Sequence, residues 1–384
     1  METEKLYEAD AYLRSFTATV LTCDAAKGGW AVTLDRTAFY PESGGQPGDA
    51  GTLGGAAVLD THVSEGVVTH LCAGPLPVGE TVRGEIDWAR RFDHMQQHSG
   101  EHIVSGLICA KKHCNNVGFH LGAESVVIDF DAALTPAELS EVEAAANAVI
   151  WENRPMLATY PTAEELETLD YRSKKAIEGR VRIVEFPGAD RCACCGTHVR
   201  SAGEIGLLRL VSMKPFRAGV RIELLAGRRA LEWSVAMTEQ NSRVSVLLSA
   251  KPGETAAAVE RMKQELADTQ YRLVGLENRL FAERAAALAG QGDALLFVEA
   301  MRPDALRRLC EAVGARCGGR CAVFAGDDEA GWRYALRLPE GEPLKDFVAA
   351  MNAALGGRGG GRDGFAQGGV AARRAGIEAW FAAL

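Results

Sequence analysis

Two short segments far apart in the chain carry ligand-type side chains at the same spacing. His98 and His102 sit in QQHSGEH, and Cys194 and His198 sit in CCGTH, each pair four residues apart. Four residues on a helix is just over one turn, so His98 and His102 share one face. One His/His pair and one Cys/His pair match the tetrahedral nitrogen-and-sulfur preference of zinc. One ion held by both pairs requires a fold that brings position 98 to position 194, which constrains every connection between them. Cys and His are also scarce, with 10 and 8 in 384 residues. The competing reading makes the two histidines helix-surface residues and Cys194 a buried thiol. A metalloprotease site is excluded: it needs Glu directly after the first His, where this chain has Ser99, and Glu101 precedes the second His instead.

Length sets the next bound. A chain of 384 residues is expected to form two or three domains. No apolar run approaches the ~20 residues of a membrane helix. The start, METEKLYEADAY, is acidic and polar, unlike a signal or transit peptide, so a soluble cytoplasmic protein is expected. The cysteines (Cys23, Cys72, Cys109, Cys114, Cys192, Cys194, Cys195, Cys310, Cys317 and Cys321) are scattered, which fits reduced thiols and one metal site better than a disulfide framework. The net charge of −9 argues against a protein that coats nucleic acid non-specifically, but it leaves room for a local basic groove.

The patterning predicts an α+β multidomain chain. Residues 1–89 alternate in short β-forming runs (FTATVLTC, GWAVTLDR, AAVLDTHVS, VVTHLCA, TVRGEID), which suggests a small β-barrel or sandwich. TAFYPESGGQPGDAG, residues 37–51, reads as a Pro/Gly-dense loop that lets backbone approach a ligand. Residues 90–240 form an α+β domain with the zinc site. A helix over ARRFDHMQQHSGEHIVSGLICAKK carries the histidines, and a second begins at Thr135 as cap, with Pro136 and Glu138 behind it. Residues 241–290 are helical. There Val259, Met262, Leu266, Thr269, Leu273, Leu276 and Leu280 recur at spacings of three and four, as in a coiled-coil seam over 254–289. That stripe either joins two copies as a homodimer or packs on its own C-terminal domain. Residues 291–384 read as a small α/β domain ending in GGRGGGRDGFAQGG, residues 356–369, taken as a loop whose backbone N–H groups and arginines suit phosphate. No Lys-Ser/Thr follows, so it is not a Walker A loop.

TAFYPESGGQPGDAG, HSGEH, GFHLGAE, CCGTH with SAGEIG, and GGRGGGRDGFAQGG occur in the order found in the editing and C-terminal parts of alanyl-tRNA synthetase. No aminoacylation domain precedes them. The chain therefore resembles the free-standing AlaX-type trans-editing relatives, in the long form with a C-terminal domain related to that of DHH proteins. The resemblance implies a trans-editing hydrolase that deacylates Ser-tRNA(Ala), and in some members Gly-tRNA(Ala). It implies one Zn2+ on His98, His102, Cys194 and His198. It assigns recognition of the serine hydroxyl to Thr37, and it places Gln46 and His120 in matching site segments. The C-terminal domain would hold the tRNA through Gly357, Arg358, Gly359, Gly360, Gly361 and Arg362. The family motif reads Cys-Gly-Gly-Thr-His, whereas here Cys195 stands in place of the first Gly and Cys192 lies two before Cys194, which opens a choice of thiol.

An aminoacyl ester is already activated, so hydrolysis needs a positioned water and help for the developing oxyanion. Four protein ligands fill a tetrahedral site, so the expected role of zinc is to orient the aminoacyl-adenosine end, with His120 positioning water or moving a proton. The alternative is a non-catalytic tRNA- or RNA-binding module with a structural zinc. A DHH-class phosphoesterase is disfavoured because Asp93-His94 is followed by Met95. Editing of mischarged threonyl-tRNA shares the ligand layout, but the glycine-rich tail goes with the alanine branch.

Overall fold

Alternation of buried and exposed residues, strict along VVTHLC and TVRGEI, turns one face of the N-terminal strands toward a common core. In the computed structural model, which describes residues 2–173 and 180–384, these strands are β1 (Ser15–Ala26), β2 (Gly29–Leu34), β3 (Gly51–Leu53), β4 (Ala56–Ser64), β5 (Val67–Cys72) and β6 (Thr81–Ile86). They pair in the order β1-β2-β5-β4-β3-β6, and β6 returns to β1 to close a barrel. Closure leaves no open sheet edge. The interior holds Phe16, Ala18, Val20, Val32, Leu34, Phe39, Leu53 and Val58.

Helix α1 (Trp88–Lys112) leaves the barrel directly. Asp87 caps it by accepting from the Arg90 N–H at 3.1 Å, and His113 ends it in the left-handed conformation. Met95, Ile103, Val104 and Ile108 of α1 enter the core. They pack with a four-stranded antiparallel sheet in the order β12-β13-β8-β7, made of β7 (Asn116–Leu121), β8 (Val126–Phe130), β12 (Leu208–Phe216) and β13 (Gly219–Ala226). Helix α2 (Pro136–Trp151) has the expected capping box, Thr135 with Glu138, and buries Val142, Ala146, Val149 and Ile150 in the same core. A second small sheet, β9 (Leu157–Thr159), β10 (Ile183–Phe186) and β11 (Asp190–Ala193), packs beside α1. A short helix, Ala163–Thr168, with its own capping box of Thr162 and Glu165, precedes that sheet's second strand.

A buried ion pair ties α1 to the 37–51 loop. Arg91 is bound to Asp49, and both side chains are fully enclosed. The Arg91 guanidinium also donates to the Ala11 carbonyl at 2.7 Å and the Ala38 carbonyl at 2.6 Å, while Asp49 accepts from the Tyr40 N–H at 2.6 Å. Removing one partner of such a pair leaves a buried charge uncompensated, at a cost of roughly 3–5 kcal/mol.

Residues Met1–Asn241 and Ser242–Leu384 form two compact units, with the division inside α3 (Gly227–Leu247). In the second unit α4 (Thr255–Ala287) buries only Ala258, Phe281 and Ala285, and the last two meet Leu306, Leu309 and Val313 of α5 (Pro303–Gly314). The predicted seam stays in water: Met262, Leu266, Leu276 and Leu280 are each more than half exposed. The mixed sheet runs β14-β15-β16-β18-β17, from β14 (Gly292–Val298), β15 (Gly318–Asp327), β16 (Gly331–Arg337), β17 (Arg358–Arg362) and β18 (Phe365–Val370). Helices α6 (Leu344–Leu355) and α7 (Arg374–Ala382) cover its other face.

The glycine-rich tail is a correction to the sequence reading. It is a β-hairpin rather than a loop, with Arg358 opposite Gly369 and Gly359 opposite Gly368. The glycines serve close packing: a Cβ at Gly359 would stand 2.4 Å from the Tyr334 hydroxyl, and one at Gly368 2.6 Å from its ring. No helix among the described residues is long and apolar enough to cross a membrane.

Candidate metal centre

The two ligand pairs converge. One donor atom each from His98, His102, Cys194 and His198 lies within 4.8 Å of the others, and His98, His102 and His198 are almost wholly buried. Helix α1 presents both histidines inward. The CCGTH turn follows β11 and is held over them by Arg182, which donates to the Cys194 and Gly196 carbonyls at 3.0 Å. Its glycine is obligatory, because a Cβ on Gly196 would stand 2.2 Å from the His98 ring. Ser99 accepts from the Val199 N–H at 3.1 Å, which pins the far end of the turn.

Partners outside the cluster set the orientation of two rings. His98 Nδ1 donates to Gln46 Oε1 at 2.8 Å, and Gln46 is held in turn by the Thr197 hydroxyl at 2.8 Å. His102 Nδ1 donates to Asp190 Oδ2 at 2.8 Å, and Arg172 grips Asp190 through both guanidinium nitrogens at 2.7 and 2.8 Å. Both Nε2 atoms are thereby left for the centre, with His98 Nε2 at 3.5 Å from Cys194 Sγ and His198 Nε2 at 3.8 Å. Acceptors of this kind behind ligating imidazoles fix the tautomer and raise ligand basicity. Phe119 stacks on the His98 ring at 4.9 Å.

The electrostatics single out one thiol. Burial alone would raise the Cys194 pKa, but His98, His198 and His102 outweigh it and hold the thiol well below its usual range. Burial would lower His102, but the Cys194 and Asp190 charges push it up to about 9. Burial holds His198 down at about 3. Cys192 lies near His102 and Asp190, yet burial pushes its thiol up to about 12, and Cys195 is exposed. Three imidazoles and one thiolate-prone sulfur at this spacing fit a tetrahedral divalent ion of the zinc type.

The other residues singled out from sequence are spread differently. Gln46 reaches the cluster, as described. Thr37 is fully buried in the barrel. Its hydroxyl meets His70 Nε2 at 2.8 Å and accepts from the Phe39 N–H at 3.1 Å. His70 Nδ1 faces the Val32 carbonyl at 3.1 Å, so it carries the proton, and Nε2 accepts from Thr37. Burial holds His70 at about 4, hence neutral at pH 7. The contacts to His70 and Phe39 are the two hydrogen bonds of the Thr37 hydroxyl among the described residues, and the side chain is closed to solvent. His120 is not brought to the centre: it is exposed on β7, and strand alternation turns it to the face opposite Phe119. Arg358 and Arg362 lie exposed on β17, in the other unit. Sequence reading missed Asp190, Arg172, Phe119 and His70. No local signal in GFHLG pointed to Phe119, because the facing of a strand residue changes with a one-residue shift of phase.

Comparisons with known proteins fit this arrangement. Residues 11–90 match the family of tRNA synthetases class II (A). Residues 181–223 match the threonyl and alanyl tRNA synthetase second additional domain, and residues 292–379 match the DHHA1 domain. The three matches fall on the barrel, on the CCGTH segment with the strands around it, and on the C-terminal unit. The chain is 27% identical over 381 residues to the alanyl-tRNA editing protein Aarsd1-B of Xenopus laevis, covering 94% of this chain and 92% of that one. It is 32% identical over 396 residues to the alanine–tRNA ligase of Archaeoglobus fulgidus, and 28% over 374 residues to that of Ignicoccus hospitalis. It spans 42% and 40% of those two ligases. The resemblance to the long AlaX type of alanyl-tRNA editing protein, first drawn from the motifs, is thus shown along nearly the whole chain.

Zinc analysis by mass spectrometry of the purified chain checks the ligand assignment. Cys194→Ser is expected to lose the metal, while Cys192→Ser and Cys195→Ser retain it. Gln46→Ala is expected to weaken metal affinity by roughly 10–100-fold while the fold persists. Loss of metal from Cys195→Ser instead would overturn the assignment.

Proposed function

We propose that the chain is a trans-editing hydrolase that deacylates Ser-tRNA(Ala), with Gly-tRNA(Ala) as a second candidate ester, releasing the amino acid and free tRNA. The observation that carries this reading is the buried cluster of three histidines and Cys194, with Gln46 and Asp190 behind two of the rings. The names of the editing relatives support it. Zn2+ is the ion that this donor set suits; when bound, it polarises a carbonyl, activates a water or orients the substrate. With four protein donors already in place, orientation of the ester end is the role we assign to it.

The remaining work falls to the chain. Gln46 and Asp190 hold the two rings, and Phe119 shields the His98 ring from water. Thr37 supplies selectivity. Its proton is committed to His70, so a serine hydroxyl brought to it would have to donate to its oxygen, a bond that alanine cannot make. A site that hydrogen-bonds a substrate hydroxyl rejects the analogue that lacks it far more strongly than a site that merely fits it. The exposure of His120 leaves it no part in this scheme.

By division of labour, residues 1–89 and 90–240 would form the editing part. Residues 241–290 would connect it to residues 291–384, which would bind the tRNA body through the β17 hairpin, with Arg358 and Arg362 on phosphates. The exposed stripe on α4 would join two copies. The cell compartment we assign is the cytoplasm, where charged tRNA is used.

Three measurements check these assignments. Thr37→Val should slow removal of serine by roughly three- to tenfold, the worth of one neutral hydrogen bond, at unchanged zinc content; unaltered kcat/KM would remove Thr37 from the site. The double substitution Arg358→Ala, Arg362→Ala should weaken tRNA binding and reduce the slope of log K against log salt by about 2. An unchanged slope places the phosphates elsewhere. Sedimentation equilibrium should give a dimer that Leu266→Glu dissociates, and a monomeric wild-type chain would end the dimer reading.

A further inference from the structure

A cleft of about 770 Å3 in the first unit lies outside the metal cluster but is walled by the elements that build it. Its lining includes Pro47, next to Gln46; His94, one helical turn before His98; and Gly122, which follows the strand carrying Phe119. The opposite wall is the first turns of α3, with Arg228 and Trp233. Pockets of this size hold small organic ligands.

The polar groups around the cleft differ in how far they are already committed. Arg229 is bound by Asp93, and it also donates to the Gly122 carbonyl at 2.7 Å. Arg90 donates to the Gly48 carbonyl at 3.2 Å. Arg228, by contrast, is exposed and has no ion pair among the described residues. His94 is 3% exposed, and its Nδ1 has no hydrogen-bond partner among the described residues. A buried nitrogen of that kind costs about 1–3 kcal/mol unless a ligand or water satisfies it. Trp233 offers a half-buried indole, with Arg209 at 5.4 Å from its centroid. Glu124 and Glu232 also line the cleft, which disfavours a polyphosphate and leaves room for one phosphate at Arg228.

We infer that this cleft seats the 3′-terminal nucleotide of the RNA: the base stacks against Trp233, its edge bonds His94 Nδ1, and its 5′-phosphate pairs with Arg228. This rests on the editing reading, because an ester held at the cluster carries its terminal nucleoside with it. Indole–base stacking and a guanidinium–phosphate pair are sequence-tolerant and strong enough to anchor one nucleotide.

The test is titration calorimetry of adenosine 5′-monophosphate into the intact chain, with inorganic phosphate as a second probe. Saturable AMP binding is expected, weakened at least tenfold by Trp233→Ala, by Arg228→Ala and by His94→Gln, with inorganic phosphate binding far more weakly. Trp233 and Arg228 are outside the core, so those two variants decide the matter even where His94→Gln unfolds. Absence of saturable AMP binding, or AMP binding indifferent to both α3 variants, overturns the cleft assignment. Deacylation of Ser-tRNA(Ala) is measured alongside. Hydrolysis with no AMP dependence on the cleft sinks the cleft alone; cleft-dependent AMP binding without hydrolysis sinks the editing reading and leaves a nucleotide site.

Discussion

Burying an imidazole is costly unless its nitrogens find partners, and at His98 and His102 meeting that need organises the first unit. His98 and His102 give their Nδ1 protons to Gln46 and Asp190, residues from the two sides of α1 in the sequence. Meeting the first bond draws the 37–51 loop of the barrel onto α1, where the buried Arg91–Asp49 pair locks it. Meeting the second draws β11 onto the other side, where Arg172 completes the charge balance around Asp190. What is left over is two Nε2 lone pairs, a low-pKa thiol and a third imidazole, all pointing at one spot. Two of the four donors, His98 and His102, are thus held in orientation by partners behind their rings, while His198 Nδ1 has none among the described residues.

Much of this was legible before the structure, and what was not has a common cause. The capping box at Thr135, the periodicity of α1, the barrel strands and the pairing of HxxxH with CxxxH depend on local patterns, and they appear where expected. Asp190, Phe119 and His120 depend on the face a strand residue takes. A one-residue change of phase exchanges inside for outside, so a motif such as GFHLG could not reveal that Phe119, rather than His120, meets His98. The tail shows the converse error. Its glycine density read as a loop suited to phosphate, but the segment is a hairpin whose glycines answer to Tyr334, which lies across it. His70 was hidden because VVTHLC reads only as a strand, and its role arises from the neighbour that Thr37 becomes.

The acidic net charge and the expectation of an RNA partner are compatible because the basic groups are localised. Arg358 and Arg362 stand on an edge strand with no side chain between them but glycine, and Arg228 stands at the start of α3. A repelling surface with a few placed guanidinium groups favours selective over general RNA binding.

The central claim is that the buried His/Cys centre serves ester hydrolysis on a mischarged tRNA. Its most direct test is incubation of the purified chain with Ser-, Gly- and Ala-tRNA(Ala), with and without a zinc chelator. The account predicts loss of the serine ester, protection of the alanine ester, and arrest of hydrolysis once the metal is removed. Zinc-loaded protein that leaves all three esters intact would contradict it and favour a tRNA-binding module with a structural metal.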